Sequence, residues 1–464
     1  MTYDLVIKNC RIVKPSGALW GEIAICDGKI VSIGEKVDGP SKDRIDAGGR
    51  FVLPGVIDTH VHLGTAEQTF AEAVLTESGA AVAGGITTAL VYRQIPVLGE
   101  TKAPLKSILD PDIRAIEKNS LIDIGFHGLI LDEEALDRID ELVESFGITS
   151  FKFIMAYKGE EAMPHFYGMR DGSLFKAMER VGKKGCLSLV HAENSEINER
   201  FKEENRNRKD IAAWSEARPN LSEEESIRKA VFLAEKAKSP LCVAHVSTEG
   251  GVKYISEKKK QNKSLFQETC PHYLSLTKYV KFEPSALGKV NPPLREDSDV
   301  SALWTLLAEG SIDVIGSDHC PFTLKMKSED LWRARPGIPG IGLLLPVLLS
   351  EGVNKGKITI EDVSRITSFQ PSKLFGLYPR KGAIEEESDA DLVVVDLEKK
   401  VKVTHSLLQG ISDYSPYEGC ILKGWPVITI VRGRPVIRNG QLIDTLRNGK
   451  FLKREKVDFS SLYG

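Results

Sequence analysis

The feature that most constrains this chain is the alternation of short apolar runs with helix-like stretches across residues 54–375. A short apolar run bounded by turn residues is typical of a buried strand, and the stretches between the runs have the composition of helices. Eight strand–helix units in these residues predict an α/β fold, namely a (β/α)8 or TIM barrel with extended loops. The strand-like runs are VIDTHVHL, ITTALVY, IDIGFHGLI, ITSFKFIMAY, CLSLVH, PLCVAH, LFQETC and SIDVIGSD.

A doubly wound open sheet is the alternative architecture for the same alternation. Such sheets commonly bind nucleotides through glycine-rich loops, and neither GxGxxG nor the P-loop pattern occurs in this sequence. The barrel is therefore favoured. One of the helix-like stretches, residues 222–238, opens with Ser222 followed by Glu225, which predicts a capping box at its start.

The two ends of the chain resemble each other and differ from the middle. Both read as short strands joined by turns, and Asp27 and Gly28 between two apolar runs predict a hairpin. Two strand-rich ends around a mixed middle predict one small β-sandwich domain built from both termini. The predicted units are the sandwich at 1–53 plus 376–441, the barrel at 54–375 and a C-terminal tail at 442–464.

Composition narrows the possible partners. The formal net charge of −3 over 464 residues is too close to neutral to indicate nucleic acid or an anionic membrane. The longest apolar stretch is too short to cross a bilayer, and the first residues lack the pattern of a signal peptide. We therefore expect a soluble, cytoplasmic protein. Its seven scattered cysteines include no CxxC pair, which argues against a disulfide framework and a cysteine-based metal site.

Metal-binding side chains stand at the ends of the predicted strands. His60 and His62 end the first run, and residues two apart on a strand face the same side, so both imidazoles can bind one ion. His191, His245 and Asp318 end three further runs. The carboxyl ends of barrel strands ring the active site, so these five residues predict a shared metal site there.

Lys152 lies inside the apolar run ITSFKFIMAY. Burial disfavours a charged ammonium and lowers the pKa of a lysine. A neutral amine beside two cations can add carbon dioxide and become a carbamate, which is anionic and can bridge two metals. The alternative is a lysine with a buried stem whose head reaches solvent or pairs with an acid. The five other ligands favour the carbamate.

These residues lie in motifs that resemble those of the cyclic amidohydrolases: hydantoinase and dihydropyrimidinase, with allantoinase and dihydroorotase as relatives. The resemblance covers nearly the whole chain. It is carried by GRFVLPGVIDTHVHL, TSFKFIMAYKG, VHAEN, AHVST, ETCPHYL, NPPLR, GSDHCPF, LFGLYPRKGAI, SDADLVVVD, YSPYEG and KGWPV.

The resemblance implies a binuclear site with two divalent ions, of which Zn²⁺ is expected. His60, His62 and Asp318 would hold one ion, His191 and His245 would hold the other, and carboxylated Lys152 would bridge them. It also implies a homotetramer.

The implied reaction is the hydrolysis of a small cyclic amide or ureide. Water between two metals loses a proton near neutral pH, and the resulting hydroxide would attack the ring carbonyl. Tyr157 would stabilise the oxyanion, and Asp318 would accept the proton and pass it to the leaving nitrogen. The backbone around Asn291 would hold the amide edge of the ring.

The substrate ring is harder to assign, because the motifs are mixed. FKFIMAYKG with Tyr157 favours hydantoinase or dihydropyrimidinase, ETCPHYL resembles allantoinase, and Asn291 in VNPPLR resembles dihydroorotase. The arginine that dihydroorotases carry after HVHL is replaced by Gly64 and Thr65. Arg93 could bind an anionic substrate group or pair with an acid in a loop. We expect a neutral ring of hydantoin or dihydropyrimidine type, with allantoinase or dihydroorotase activity as alternatives.

Two other classes of protein are compatible with the same barrel. One is a non-catalytic, dihydropyrimidinase-like assembly protein that has lost its metal ligands. All six ligand positions are filled here, which argues against it. The other is a deaminase or phosphoesterase, and Lys152 together with Tyr157 argues against a deaminase.

Overall fold

A computed structural model of the chain describes residues 2–64, 67–96, 103–162, 166–327 and 330–462. The strands of this part are β1 Tyr3–Lys14, β2 Gly17–Cys26, β3 Lys29–Gly34, β4 Ser41–Asp46, β5 Phe51–Pro54, β6 Val56–Val61, β7 Ile86–Gln94, β8 Asp123–Leu129, β9 Ser150–Ile154, β10 Leu187–His191, β11 Leu241–Val243, β12 Leu265–Thr269, β13 Val314–Ile315, β14 Leu392–Lys402, β15 Ile421–Val431, β16 Arg434–Arg438 and β17 Gln441–Leu442.

Strands β6 to β13 form the barrel, and each corresponds to one of the eight predicted runs, although β7 continues two residues past its run, to Gln94. They are parallel and pair in chain order from β6 to β13. A bridge between Val61 and His319 joins the first strand to the segment after the last, and the amide of His62 donates to the carbonyl of His319 at 2.9 Å. The predicted (β/α)8 barrel is confirmed, and the open-sheet alternative is wrong.

Helices connect the barrel strands. They are α1 Phe70–Ala83, α2 Leu105–Asn119, α3 Ile139–Phe146, α4 Asp171–Lys183, α5 Ser195–Asn205, α6 Ile211–Ala217, α7 Asn220–Ala237, α8 Glu249–Lys259, α9 Asp297–Ala308, α10 Leu344–Val347, α11 Ile360–Ser364 and α12 Gln370–Leu374. Short π-helical stretches, Leu348–Val353 and Arg365–Phe369, follow α10 and α11. In the described part of the chain, no helix has the length and apolar character needed to span a membrane.

The predicted capping box at Ser222 is wrong. Helix α7 begins two residues earlier, at Asn220, after Pro219. Ser222 is buried within the helix, where its hydroxyl accepts from the amide of Asn194 at 2.9 Å and is 3.1 Å from the carbonyl of Asn194. The side chain therefore ties α7 to the segment after β10 instead of capping its own helix.

A separate sheet is built from both chain ends, as predicted. Its nine strands include β1 to β5 and β14 to β17, and β5 pairs antiparallel with β14 between Pro54 and Leu392. Apolar side chains of both ends form its core, including Ile12, Ile23 and Ile430. The domain boundaries given above stay a prediction.

The tail beyond β17 packs under the barrel, which its sequence did not indicate. Phe451 forms a bridge with Ile124 near the start of β8, and Arg454 donates to the hydroxyl of Ser150 at the start of β9. Leu452 and Phe459 join the apolar cluster inside the barrel. The tail therefore lies at the amino ends of the strands, the end opposite the metal-binding residues.

Candidate metal centre

Three of the predicted ligands meet at the carboxyl ends of β6 and β13. His60 Nε2 lies 3.1 Å and His62 Nε2 lies 3.3 Å from the same carboxylate oxygen of Asp318. Burial alone would raise the pKa of Asp318, but the two imidazoles hold this pKa well below its usual value. Asp318 has a positive φ of 48°, a left-handed conformation that non-glycine residues rarely adopt. The carboxylate thus faces both imidazoles as an anion.

The other three predicted ligands form a second group. His245 Nε2 lies 3.0 Å from His191 Nδ1 and 3.4 Å from Lys152 Nζ. All three side chains are buried, and burial lowers the pKa of Lys152 to about 8. The rings of His60 and His245 are 5.1 Å apart between centroids, so the two groups are adjacent.

Two buried carboxylates orient the histidines. Glu268 lies 2.6 Å from His60 Nδ1, and Glu193 lies 2.8 Å from His191 Nε2. A carboxylate that accepts from one imidazole nitrogen leaves the other nitrogen unprotonated, which is the arrangement usual for a metal-binding histidine. The free nitrogens here are His60 Nε2 and His191 Nδ1, the atoms that face the other predicted ligands.

The donor set fits divalent metal ions. Two nitrogens bound to one tetrahedral zinc, each about 2.0–2.1 Å from the ion, are separated by roughly 3.3 Å. The contact of 3.0 Å between His191 and His245 is close to that separation. His60, His62 and Asp318 likewise place one ligand atom each within 4.8 Å of one another.

Sequence analysis missed Glu268 and Glu193, although a sign of both was present. Phe266 points into the barrel, and Glu268 follows two residues later on the same strand and therefore on the same face. Glu193 stands two residues after His191 in the motif VHAEN. Arg218, also buried, donates to Glu193 at 2.8 and 2.9 Å and to Glu161. A layer of charged residues therefore supports the ligands from behind.

Tyr157 and Asn291 are brought together beside the second group. Tyr157 follows β9 with a positive φ of 60°, and its ring centroid is 5.5 Å from that of His191. The side-chain amide of Asn291 donates from Nδ2 to the Tyr157 hydroxyl at 2.9 Å. Asn291 Oδ1 in turn accepts from the indole of Trp214 at 3.0 Å. Two of the three residues considered for substrate contact, Tyr157 and Asn291, thus lie beside the predicted ligands.

Arg93 is not brought to the centre. On β7, Tyr92 contacts the rings of His60 and His62, so its neighbour Arg93 points to the other side of the sheet. There its guanidinium pairs with Asp112 at 2.5 Å and lies over the ring of Phe70. Arg93 therefore pairs with an acid, as the second of its two predicted roles required, but this acid lies in helix α2 and not in a loop. Thr65, named with Gly64 above, lies outside the described residues.

A parallel eight-stranded barrel with histidine, lysine and aspartate donors gathered at its carboxyl end defines the class of metal-dependent hydrolases. The chain belongs to the amidohydrolase family, whose model matches residues 51–436.

The chain is similar to its relatives along nearly the whole length of both sequences. It is 32% identical to the L-hydantoinase of Paenarthrobacter aurescens over 99% of this chain and 100% of the relative. It is 30% identical to an allantoinase of Desulfitobacterium hafniense over 95% and 97%. The structure of a dihydropyrimidinase from Brevibacillus agri superposes with a TM-score of 0.89 at 31% identity, covering 97% and 99%. The resemblance to cyclic amidohydrolases is confirmed.

Proposed function

We propose that this protein hydrolyses an amide bond in a cyclic amide or ureide of the hydantoin or dihydropyrimidine type. It is a cyclic amidohydrolase, an enzyme that acts on non-peptide C–N bonds. The observation that carries the choice of reaction is the meeting of Lys152 with four histidines and Asp318 beside Tyr157.

We assign the metals to the two groups of ligands. His60, His62 and Asp318 would hold one divalent ion, and His191 with His245 would hold the other, Zn²⁺ being the ion expected. When bound, the pair supplies an activated water and polarises the carbonyl.

Lys152 would link the two ions as a carbamate. Its amine adds carbon dioxide, which forms an N–C bond and releases one proton. The carbamate would be an anionic group with two oxygens available as metal ligands. Support comes from the position of Nζ, which is buried and lies 3.4 Å from His245 Nε2.

The chain's own residues would then move the proton and hold the ring. The Asp318 carboxylate accepts the proton of the attacking water and delivers it to the leaving ring nitrogen, acting first as base and then as acid. The Tyr157 hydroxyl donates to the oxygen of the carbonyl under attack. The backbone at Asn291 holds the amide edge of the ring, since the side chain of this residue is engaged by Tyr157 and Trp214.

A neutral ring is favoured over an acid. The cation considered for a substrate carboxylate, Arg93, is paired with Asp112 on the outer side of β7. Allantoin is the second candidate, because allantoinases are among the full-length relatives. The allantoinase-like motif ETCPHYL, which begins with the last two residues of β12, also supports allantoin as a candidate.

A turnover screen tests this function. Protein expressed with zinc and bicarbonate should open dihydrouracil or a hydantoin with a higher kcat/KM than allantoin or dihydroorotate. Elemental analysis should find two metal ions per chain. A metal-loaded protein that opens none of these rings would contradict the proposal and favour an assembly role.

The location and the assembly of the protein are further proposals. We propose a cytoplasmic homotetramer that binds neither nucleic acid nor membranes. Cell fractionation tests the location, and sedimentation equilibrium should give four times the chain mass of 51.2 kDa.

A further inference from the structure

Hydrogen bonds link three side chains in series: Trp214, Asn291 and Tyr157. The indole Nε1 of Trp214 lies 3.0 Å from Asn291 Oδ1 and 3.1 Å from the carbonyl oxygen of Val290. Asn291 Nδ2 lies 2.9 Å from the Tyr157 hydroxyl. All three side chains are buried, with at most 8% of each residue exposed.

The chemistry of these groups fixes the direction of every bond in the chain. An indole N–H can only donate, so the atom of the Asn291 amide that faces Trp214 must be the oxygen. The amide nitrogen then faces Tyr157 and donates to its oxygen. A phenol oxygen that accepts this bond keeps its own proton free to donate elsewhere. The Tyr157 hydroxyl is therefore free to donate its proton to a group other than Asn291.

Trp214 is held firmly enough to fix this direction. It lies in α6, which Asp210 caps by accepting from the amide of Ala213 at 3.1 Å. Its ring packs edge-on against Trp332 at 5.7 Å between centroids, and Lys289 Nζ lies 3.9 Å from its ring centroid. These contacts restrict the movement of the indole.

We propose that Trp214 is a positioning residue for ring opening. Through Asn291 it directs the proton of Tyr157 toward the carbonyl oxygen of the bound ring, where negative charge develops. The inference rests on the proposed function for the identity of that oxygen. Without the indole donor, the Asn291 amide can turn over and accept the tyrosine proton, which removes the donor from the reaction.

The variant Trp214→Phe tests the proposal, because it keeps an aromatic ring and removes the N–H. We expect kcat to fall by about 5- to 20-fold, the value of one well-oriented hydrogen bond, with KM within about twofold of wild type. Metal content should be unchanged. Trp332→Phe is the matched control, since it removes an indole from the same cluster whose N–H donates instead to Arg208 at 2.9 Å; its kcat should equal that of wild type.

A double-mutant cycle separates positioning from a general structural effect. In a Tyr157→Phe background, Trp214→Phe should have no further effect on kcat, because the proton it directs is gone. An equal loss in both backgrounds, or equal losses in Trp214→Phe and Trp332→Phe, would overturn the proposal. Should Trp214→Phe fail to fold, Asn291→Ser breaks the same chain and carries the same expectations.

Neutron diffraction makes the test independent of the substrate. In the deuterated wild-type protein, one deuteron of the Asn291 amide should point to the Tyr157 oxygen, and the Tyr157 deuteron should point away from Asn291. The opposite amide orientation would refute the proposal even in an active enzyme. Absence of turnover with the expected orientation would count against the proposed function alone.

Discussion

Lys152 shows most clearly how one residue can carry chemistry in this molecule. Its ammonium would be buried among histidines that also become cationic on protonation, and burial lowers its pKa to about 8. A buried lysine normally needs a carboxylate partner. Its Nζ lies 3.4 Å from His245 Nε2, an atom that can bind a metal. The residue is therefore better suited to modification and metal binding than to forming an ion pair.

Lys152→Ala should remove at least one metal ion per chain and abolish turnover, because the bridging group is lost. Short carboxylic acids such as propionate should restore part of the activity by replacing the bridge. Elemental analysis and turnover assays with and without the acid provide the measurement. Lys158→Ala, at the rim near Asp171, is the control and should keep both ions. An unmodified Lys152 in the density of an active crystal would refute the carbamate.

At this scale the sequence predicted which side chains the fold brings together. The six proposed ligands could be found because each is a polar residue in or after an apolar strand, and barrel topology brings such positions together. The supporting residues were missed for a physical reason. Glu193 and Arg218 are 25 positions apart in sequence, and nothing in their local sequence reveals that they pair.

Strand alternation decides which side chains reach the centre. On β7, Tyr92 stacks on the ring of His62 at 5.2 Å, and Arg93 points toward α2. The predicted run ended at Tyr92, two residues before the strand does. The inner face of the strand could not be assigned from the sequence, because strands of a barrel are buried on both sides and lack a polar alternation. The start of α7 was also predicted wrongly from the sequence. Ser222, expected to cap the helix, instead bonds to Asn194 in the segment after β10.

Arg93→Ala should therefore leave kcat and KM for dihydrouracil within about twofold of wild type. Tyr157→Phe should lower kcat by about 10²–10³-fold, the usual cost of losing an oxyanion donor. Steady-state kinetics of both variants on dihydrouracil and dihydroorotate are the measurement. A wild-type preference for dihydroorotate that disappears in Arg93→Ala would reverse the choice of substrate.

The barrel and the terminal sheet are joined by a buried ion cluster. Lys381 contacts Asp123 at the start of β8 at 2.8 Å, Asp389 at 3.1 Å and Asp391 at 2.5 Å. Arg432 of the terminal sheet also pairs with Asp123. The three carboxylates lie close enough together to hold a metal, but Lys381 already supplies the cation. The cluster therefore acts as a clasp, that is, a set of buried ion pairs that holds the barrel and the terminal sheet together.

Lys381→Met should lower the free energy of unfolding by about 3–5 kcal/mol, because it leaves buried carboxylates without their cation. Lys29→Met is the control: Lys29 contacts the same Asp389 at 2.7 Å but is 40% exposed, so its loss should cost under about 1 kcal/mol. Denaturant unfolding of the metal-loaded proteins gives both values. Equal losses in the two variants would show that the cluster does not act as a clasp.

The overall architecture could be predicted because its parts depend on local patterns: apolar runs for the barrel and hairpin turns for the ends. The packing of the tail could not be predicted, since Leu452, Arg454 and Phe459 contact strands that are distant in sequence. Such contacts leave no periodic pattern in the sequence.

The pairing of β5 with β14 has a consequence for how the molecule is made. A ribosome adds about 5–20 residues per second, so Leu392 is synthesised roughly 20 to 70 s after its partner Pro54. Throughout that interval the N-terminal strands have one sheet edge without its native neighbour, while the barrel is still being synthesised. Completion of the sheet is therefore a late event in synthesis, and until then the unpaired edge of the amino-terminal strands is exposed to pairing with other chains.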